Sequence, residues 1–266
     1  MDYVEKRKQG RKRIFKKMIE ENDKKERIYK SRSYSVALKN KIISSSIYKN
    51  ITIQEKKLYR YILSLIKKSD DINTTFILVH KNIRELFNHN FTSKDIYSML
   101  KNISNSFDFE VNEEFWHTPI FKLIKTSKRY DTTEIVFNEF FNSLIFDIQA
   151  KGHFLKYELA NILEYKNLHS IELFELILSI TKENQREEIV SIDFDIDRLK
   201  ILLNCEKYQT KDFIRDVIKK SIEEINKYNK SVLGGTVTYK YNRTKKTITF
   251  YTENISYMLK NEKKKN

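Results

Sequence analysis

Glycine, proline and cysteine are scarce in this chain of 266 residues, which has four glycines, one proline and one cysteine. So few glycines argue against glycine-rich phosphate loops, and so few prolines favour helices joined by short polar turns. The single cysteine, Cys205, allows no intrachain disulfide and fits a reducing cytosol. No apolar run approaches the roughly 20 residues that cross a bilayer. The charged N-terminus lacks the apolar segment of a signal peptide, so we expect a cytoplasmic protein without membrane contact.

Patterns that carry catalysis or bind metal are also missing. No two of the five histidines are two residues apart, which excludes the His-x-His metal pair of a rolling-circle nickase. No Walker A sequence is present, which argues against ATP-driven activity. The acids of "DFDID" at 193–197 are interpreted as a strand end that enters a helix N-terminus, where carboxylates suit the helix dipole. Cys205 is interpreted as a core residue, and we expect no enzymatic activity, no metal site and no cofactor.

Positive charge is abundant. The chain has 51 Lys and Arg against 36 Asp and Glu, a net charge of +15, while 40% hydrophobic residues allow a real core. Such a charge indicates a polyanionic partner, either nucleic acid or an anionic membrane surface. The richness in Lys, Asn and Ile resembles AT-rich coding, which weakens this argument. Residues 1–30 hold twelve basic and six acidic residues. They are expected to form a flexible basic arm or one that clasps DNA, and 260–266 a disordered basic tail.

A weak internal repeat organises the middle of the chain. "SKDIYSMLKNIS" at 93–104 resembles "TKDFIRDVIKKS" at 210–221, an offset of about 117 residues. The same order of helix, strand, helix, helix and basic hairpin is predicted around each copy. The first set is 52–68, opened by a capping box of Thr52 and Glu55, then 76–88, 93–105 and the hairpin 120–137. The second set is 170–182, 188–192, 195–204, 211–229 and the hairpin 237–250.

This order is typical of a winged helix, whose last helix enters the DNA major groove while the hairpin, or wing, touches the flanking backbone. At about 100° per residue, the apolar residues of 211–229 fill one half of the helix and face a core. Thr210 is predicted to be the N-cap of that helix. In the second wing, Val237, Tyr239 and Tyr241 are expected to face Ile248 and Phe250. The candidate DNA-binding residues are Lys94, Ser98, Lys101, Asn105, Lys128, Arg129, Thr210, Lys211, Arg215, Lys219, Asn226, Arg243, Lys245 and Lys246. Arg and Asn suit base recognition, and Lys suits phosphates.

The stretch from about 35 to 252 resembles the iteron-binding plasmid replication initiators. The resemblance is carried by "HSIELFELI" (169–177), "SIDFDIDRLKILLN" (191–204), "YQTKDFIRDVIKKSIEEINKY" (208–228) and "VTYKYNRTKKTITF" (237–250). The family motif positions are occupied by Asp212, Phe213, Val217, Glu224, Ile225 and Asn226. The basic residues that often follow the Phe are reduced to Arg215, Lys220–Ser221 stands where the family has Pro–Ala, and Asn204 stands for a Gly.

The resemblance implies an α+β chain of two tandem winged-helix domains, at 31–150 and 151–259. It implies binding to double-stranded origin repeats, opening of AT-rich duplex and recruitment of the host initiator and replicative helicase. A homodimer formed through the first domain would repress its own gene, and a monomer would bind the repeats. Two alternatives stay open: a tandem winged-helix transcriptional regulator, and a scaffolding protein whose lysines are solvated.

Overall fold

The computed structural model describes residues 35–39, 51–67, 69–105, 108–111, 114–146, 154–183, 189–229 and 232–253. The predicted arm at 1–30 and tail at 260–266 lie outside these ranges. In the first half the elements are β1 (Ser35–Lys39), α1 (Ile53–Leu65), β2 (Phe76–Val79), α2 (His80–Phe87), α3 (Ser93–Asn105), β3 (Asp108–Val111), β4 (Glu114–His117), β5 (Phe121–Ser127) and β6 (Thr132–Phe137). A 3-10 turn (Glu139–Phe141) and a π-helical turn (Asn142–Phe146) follow.

The second half continues the same plan. Its elements are β7 (Phe154–Glu158), α4 (Ala160–Leu163), α5 (Ser170–Glu183), β8 (Ile189–Asp195), α6 (Ile196–Leu202), α7, β9 (Val237–Asn242) and β10 (Thr247–Glu253). Helix α7 has three consecutive segments: Thr210–Asp212, Phe213–Lys219 and Lys220–Asn229. None of the helices in the ranges given above is long and apolar enough to cross a membrane.

Two three-stranded antiparallel sheets follow the predicted repeat. In the first sheet β6 lies between β2 and β5, and in the second β10 lies between β8 and β9. Each consists of one strand from before the helix-turn-helix and the two strands of a wing. The pairing of Tyr241 with Ile248 and of Tyr239 with Phe250 confirms the predicted register of the second wing. The predicted order of helix, strand, helix, helix and hairpin is therefore confirmed twice.

The repeat extends to the backbone conformation. Four non-glycine residues of the described chain have positive φ: Asn88 (47°), Asp131 (51°), Asn204 (53°) and Lys246 (51°). Asn88 and Asn204 follow the short helices α2 and α6, and Asp131 and Lys246 close the two wing turns. The carbonyl of Asp131 accepts from His80 N at 2.9 Å, and that of Lys246 accepts from Ile196 N at 3.0 Å. Each wing turn is thus joined to the first residue of the helix that opens its helix-turn-helix.

Helix α7 departs from the regular α-helix that the sequence predicts. Its middle segment, Phe213–Lys219, is a π-helix, so the assumed 100° per residue does not hold there. The division into faces survives the change. Buried side chains are those of Phe213, Val217, Ile218, Ser221, Ile222, Ile225 and Asn229, whereas Lys211, Arg215, Lys219, Lys220, Glu223 and Lys227 are exposed.

Several elements have no counterpart in the predicted pattern. Strands β1 and β7 pair in antiparallel register from Ser35 opposite Glu158 to Lys39 opposite Phe154, and β3 pairs with β4. The β1–β7 pair joins segments from either side of the predicted domain boundary at 150/151. Residues 147–153 lie outside the described ranges, and that boundary stays a prediction.

Helix α1 packs against the second half through buried charges. The capping box of Thr52 and Glu55 opens it as predicted. Arg60 donates from Nε to Glu175 Oε1 at 2.9 Å and from Nη2 to Oε2 at 2.7 Å, and each side chain is 1% exposed. Tyr157 also donates to Glu175, and burial followed by the Glu175 charge raises the pKa of this phenol well above its usual range. Because buried charges are stable only when paired, α1 and α5 hold each other in position.

Candidate nucleic-acid interface

The outer face of α3 presents the four residues predicted for it. Lys94, Ser98, Lys101 and Asn105 are all exposed, and their spacing of four, three and four residues places them along one side of the helix. The opposite side buries Ile96, Leu100 and Ile103.

The sequence interpretation missed Tyr97, which is 40% exposed on the same outer face of α3. It lies one turn from both Lys94 and Lys101, and this helical spacing was the available signal. An exposed tyrosine beside lysines adds an apolar surface with a hydroxyl group to a cationic face.

A reciprocal cap fixes the beginning of α3. Asp95 N donates to Thr92 Oγ1 at 3.2 Å, and Thr92 N donates to the Asp95 carboxylate at 2.7 Å. The hydrogen bonds from Thr92 lower the pKa of Asp95 below its usual range. The carboxylate is therefore used by its own helix end and leaves the outer face to Lys94 and Lys101.

The outer face of α7 is organised by ion pairs. Arg215 is exposed, yet its Nη2 contacts Asp212 Oδ1 at 2.9 Å, and its Nε donates to Asp216 Oδ2 at 3.1 Å. The other oxygen of Asp216 lies 2.9 Å from Lys220 Nζ. Hydrogen bonds from Arg215 and Lys220 lower the pKa of Asp216 to about 2, so it is ionised at neutral pH.

The remaining predicted cations of α7 have looser contacts. Lys211 is exposed, and Lys219 Nζ lies 4.0 Å from Glu223 Oε1. A pair at that distance between exposed side chains contributes little stability, so it leaves Lys219 available to a phosphate.

Thr210 does not cap α7 as the sequence predicted. The N-cap is Gln209, whose side chain makes no capping hydrogen bond, and Thr210 is the first helical residue. The Thr210 hydroxyl accepts from Lys200 Nζ at 3.2 Å. Thr210 thus links the beginning of α7 to Lys200 of α6, so the two helices of the helix-turn-helix are joined by a side-chain hydrogen bond.

Asn226 has a different environment from the one expected of a base-reading residue. Its Nδ2 donates to the carbonyl of Val237 at 2.8 Å, and its Oδ1 accepts from Val237 N at 2.8 Å. The amide therefore uses a donor and its acceptor on the first strand of the wing. Asn226 therefore joins α7 to β9, and its contact with a base stays a prediction.

The tip of the first wing carries Lys128 and Arg129, both exposed as predicted. Arg129 lies over the ring of Tyr130, with 5.7 Å between the guanidinium carbon and the ring centroid. The tip therefore presents a cationic surface next to an aromatic ring.

A buried polar cluster fixes this first wing. The ring of His80 is fully buried, with Nδ1 at 3.1 Å from both Ser93 Oγ and Asp131 Oδ1, and Nε2 at 2.8 Å from Thr133 Oγ1. Arg84 pairs with the Asp131 carboxylate. Burial lowers the pKa of His80, so the ring is neutral near pH 7. Burial raises the pKa of Asp131, but the hydrogen bond and charge of Arg84 outweigh it and the net pKa is lowered.

The second wing ends in Arg243, Lys245 and Lys246, all exposed as predicted. Lys245 N donates to Asn242 Oδ1 at 3.1 Å, which shapes the turn. Lys246, with its φ of 51°, occupies the position that Asp131 has in the first wing. Three cations at one turn form a surface that suits phosphate groups.

The acids and the cysteine have the structural roles that the sequence favoured. Asp195 is the N-cap of α6 and accepts from Asp197 N and Arg198 N, and Asp193 accepts from the Thr249 hydroxyl at 2.6 Å. Cys205 is buried, which raises the pKa of its thiol to about 12. Within the part of the chain that the structure describes, no group of three His, Cys, Asp or Glu residues could hold a metal ion.

These features define a tandem winged-helix protein with a cationic helix face and a cationic wing in each half. The chain matches the model of "Initiator Replication protein, WH1" over residues 35–178 and that of "Initiator Rep protein, WH2" over 195–252. It therefore belongs to the initiator replication protein family. The first match includes most of α5, which the sequence analysis had assigned to the second domain.

A solved structure supports the same fold. The crystal structure of the Pi initiator protein in complex with iteron DNA matches with a TM-score of 0.64 and 17% identity, and covers 83% of this chain and 97% of that chain. No curated protein matched this chain.

Proposed function

We propose that this protein initiates plasmid replication by binding repeated double-stranded sites, or iterons, at an origin. The observation that carries the proposal is the duplicated pair of exposed cationic helix and cationic wing in a chain of the initiator family. The net charge of +15 and the iteron-bound state of the Pi initiator protein support it. A helix in the major groove and a wing along the backbone would let each half contact about half of a repeat.

The finer parts of the proposal concern the events after binding. Bound copies would strain and open AT-rich duplex nearby and recruit the host initiator and replicative helicase in the bacterial cytoplasm. A homodimer would repress its own gene, whereas a monomer would occupy the repeats. Each step is a binding step, so the protein would act without catalysis, cofactor or membrane. The family supports this sequence of events.

The decisive experiment selects duplexes from a randomised pool with the full chain and compares them with the DNA that flanks its gene. Repeats of about 20 base pairs, two turns of duplex, are expected beside the gene and among the selected sequences. Affinity for the selected duplex, measured by fluorescence anisotropy, should fall about a hundredfold between about 50 and 200 mM salt as phosphate contacts are lost. A single palindrome would favour a transcriptional regulator. A flat salt response without sequence enrichment would contradict DNA binding.

A further inference from the structure

The guanidinium of Arg215 has an arrangement that the matching helix of the first half lacks. Asp212 contacts its Nη2 from one turn earlier, and Asp216 contacts Nε and Nη2. These two carboxylates use three of the contacts that a guanidinium offers. Because arginine has five N–H donors in a rigid fork, the two hydrogens of its third nitrogen, Nη1, can still donate to DNA.

Asp216 is itself held from two sides. Arg215 occupies Oδ2, and Lys220, one turn later, lies 2.9 Å from Oδ1. The Asp216 side chain is 29% exposed, less than the 59% of Arg215. A charge fixed in this way limits the rotamers of Arg215 before any DNA arrives.

The sequence offset shows that this arrangement is a difference between the halves. With the repeat offset of 117 residues, Asp216 corresponds to Met99, Arg215 to Ser98 and Gln209 to Thr92. In α3, Asp95 is bound by the Thr92 cap. In α7 the cap residue is Gln209, which makes no such bond, so the equivalent acid Asp212 is free to contact Arg215.

A carboxylate on a DNA-facing helix has opposite effects on the two kinds of contact. It repels the phosphates of any duplex, which penalises binding that depends on backbone charge alone. It also fixes the direction of an arginine that reads the major-groove edge of guanine. The repulsion weakens binding to every duplex alike, whereas the fixed arginine strengthens binding only where a guanine can accept from it. Together they leave the protein with weak binding to random DNA and a preference for the correct sequence.

We propose that Asp216 is a positioning residue for sequence recognition: it orients Arg215 towards a base edge and suppresses binding to random duplex. The inference rests on the proposed DNA binding and adds how α7 separates cognate from random sites. It predicts that removal of the Asp216 charge tightens binding to random DNA and lowers specificity, whereas removal of a charge that does not contact Arg215 leaves specificity unchanged.

The test measures affinity of the full chain for the selected duplex and for a scrambled duplex of equal length and composition. Asp216→Asn retains the side-chain shape and should tighten binding to the scrambled duplex while leaving or weakening binding to the selected one. The ratio of the two affinities should fall about tenfold. Glu223→Gln, on the same helix but paired with Lys219, removes the same charge. It should shift both affinities together and leave their ratio unchanged.

A double-mutant cycle separates positioning from general charge or folding effects. In an Arg215→Ala background, Asp216→Asn should no longer change the ratio, because the arginine that it orients is gone. Thermal unfolding of each variant checks the fold, and Asp216→Ser replaces Asp216→Asn if that variant fails to fold. Equal changes on both duplexes for D216N, as for E223Q, would overturn the inference. A wild-type chain that selects no sequence would instead refute the proposed function.

Discussion

The two recognition helices have the same place in the fold but use their first acidic residue differently. In α3, the carboxylate of Asp95 closes a cap with Thr92. In α7, the equivalent Asp212 contacts Arg215. The change follows from one residue, because glutamine at 209 makes no capping bond where threonine at 92 does. Loss of a local cap thus coincides with an organised arginine on the outer face.

In the wings, by contrast, it is the first half that has the residue held by side-chain contacts. At the end of the first wing turn, Asp131 is held by Arg84, His80 and Ser93. The equivalent residue of the second wing is the exposed Lys246. Backbone hydrogen bonds to α2 and α6 hold both turns. The first half therefore has a fixed wing and a helix with exposed lysines on its outer face. The second half has a more cationic wing and an arginine that is held by two carboxylates.

This difference indicates a division of labour within one duplicated fold. Lysines act as mobile point charges that suit phosphates, whereas a fixed guanidinium suits a base edge. We expect the first half to contribute mainly sequence-independent affinity through α3, and α7 to contribute sequence preference.

The largest expected effect comes from breaking the buried ion pair between Arg60 of α1 and Glu175 of α5. Glu175→Ala would leave Arg60 without its carboxylate in a site where each side chain is 1% exposed. We expect a loss of about 3–5 kcal/mol in the free energy of unfolding, because the remaining charge stays buried. Urea denaturation measures it.

The matched control replaces both charges of the pair with apolar residues of similar size. Arg60→Met with Glu175→Met should recover most of the lost stability, because no uncompensated charge remains. If Glu175→Ala alone unfolded with wild-type stability, then α1 would not depend on α5, and the halves would be more independent than the structure indicates.

The next largest effect concerns the base-reading role assigned to Arg215. Arg215→Ala should weaken binding to the selected duplex about tenfold or more and change binding to scrambled duplex far less. Lys245→Ala, at the second wing tip, should weaken both by similar factors. Anisotropy titrations at one salt concentration measure all four affinities. Equal losses on both duplexes for R215A would make it a phosphate contact and remove the contrast between α3 and α7.

A smaller effect distinguishes the two wing turns. Asp131→Asn keeps a side chain that tolerates positive φ but removes the charge that faces Arg84 and His80. We expect a loss of about 1 kcal/mol in stability, at the low end for such a bond because the carboxyl is half exposed. Lys246→Ala should change stability by less than about 0.5 kcal/mol and weaken binding to every duplex. Similar stability losses in both variants would contradict the difference between the wings.

The sequence predicted the repeated elements because each has a strong local signal. Alternating apolar residues defined the hairpins, and the capping box at Thr52 and Glu55 defined the beginning of α1. The exposed cations of both helices and both wings followed from the same periodicity. Those signals depend on neighbouring residues alone, so they can be recognised in the sequence without knowledge of the tertiary contacts.

The features that escaped prediction depend on long-range contacts. Arg60 and Glu175 are 115 positions apart, and a charged residue on a helix is normally expected to face water. Asn226 has the spacing of an outward residue, but α7 continues beyond the length of α3 and brings its amide against Val237. Thr210 is a good cap by residue type, yet the helix begins one residue earlier. In each case a tertiary partner overrode a valid local preference.

The smallest effect concerns two histidines, the fully buried His80 and the half-buried His169, which lies next to the first residue of α5. The test asks whether both make the protein less stable in acid. Burial lowers the pKa of both His80 and His169 below 6.5. In the unfolded chain these histidines take up protons below about pH 6.5, whereas the folded protein resists this uptake. Stability should therefore fall as the pH decreases from about 7.5 to 5.5, since the unfolded state binds more protons in that window.

Urea denaturation at both pH values measures this loss for the wild type, for His80→Asn and for His169→Asn. Each substitution should reduce the difference between the two pH values, whatever it does to stability at neutral pH. The exposed His89, replaced by Asn, is the control and should leave the difference in place. If only His169→Asn reduced the difference, then the carboxylate of Asp131 next to His80 would offset the cost of burial there. The two halves would then also differ in their response to acid, as they differ in their wings.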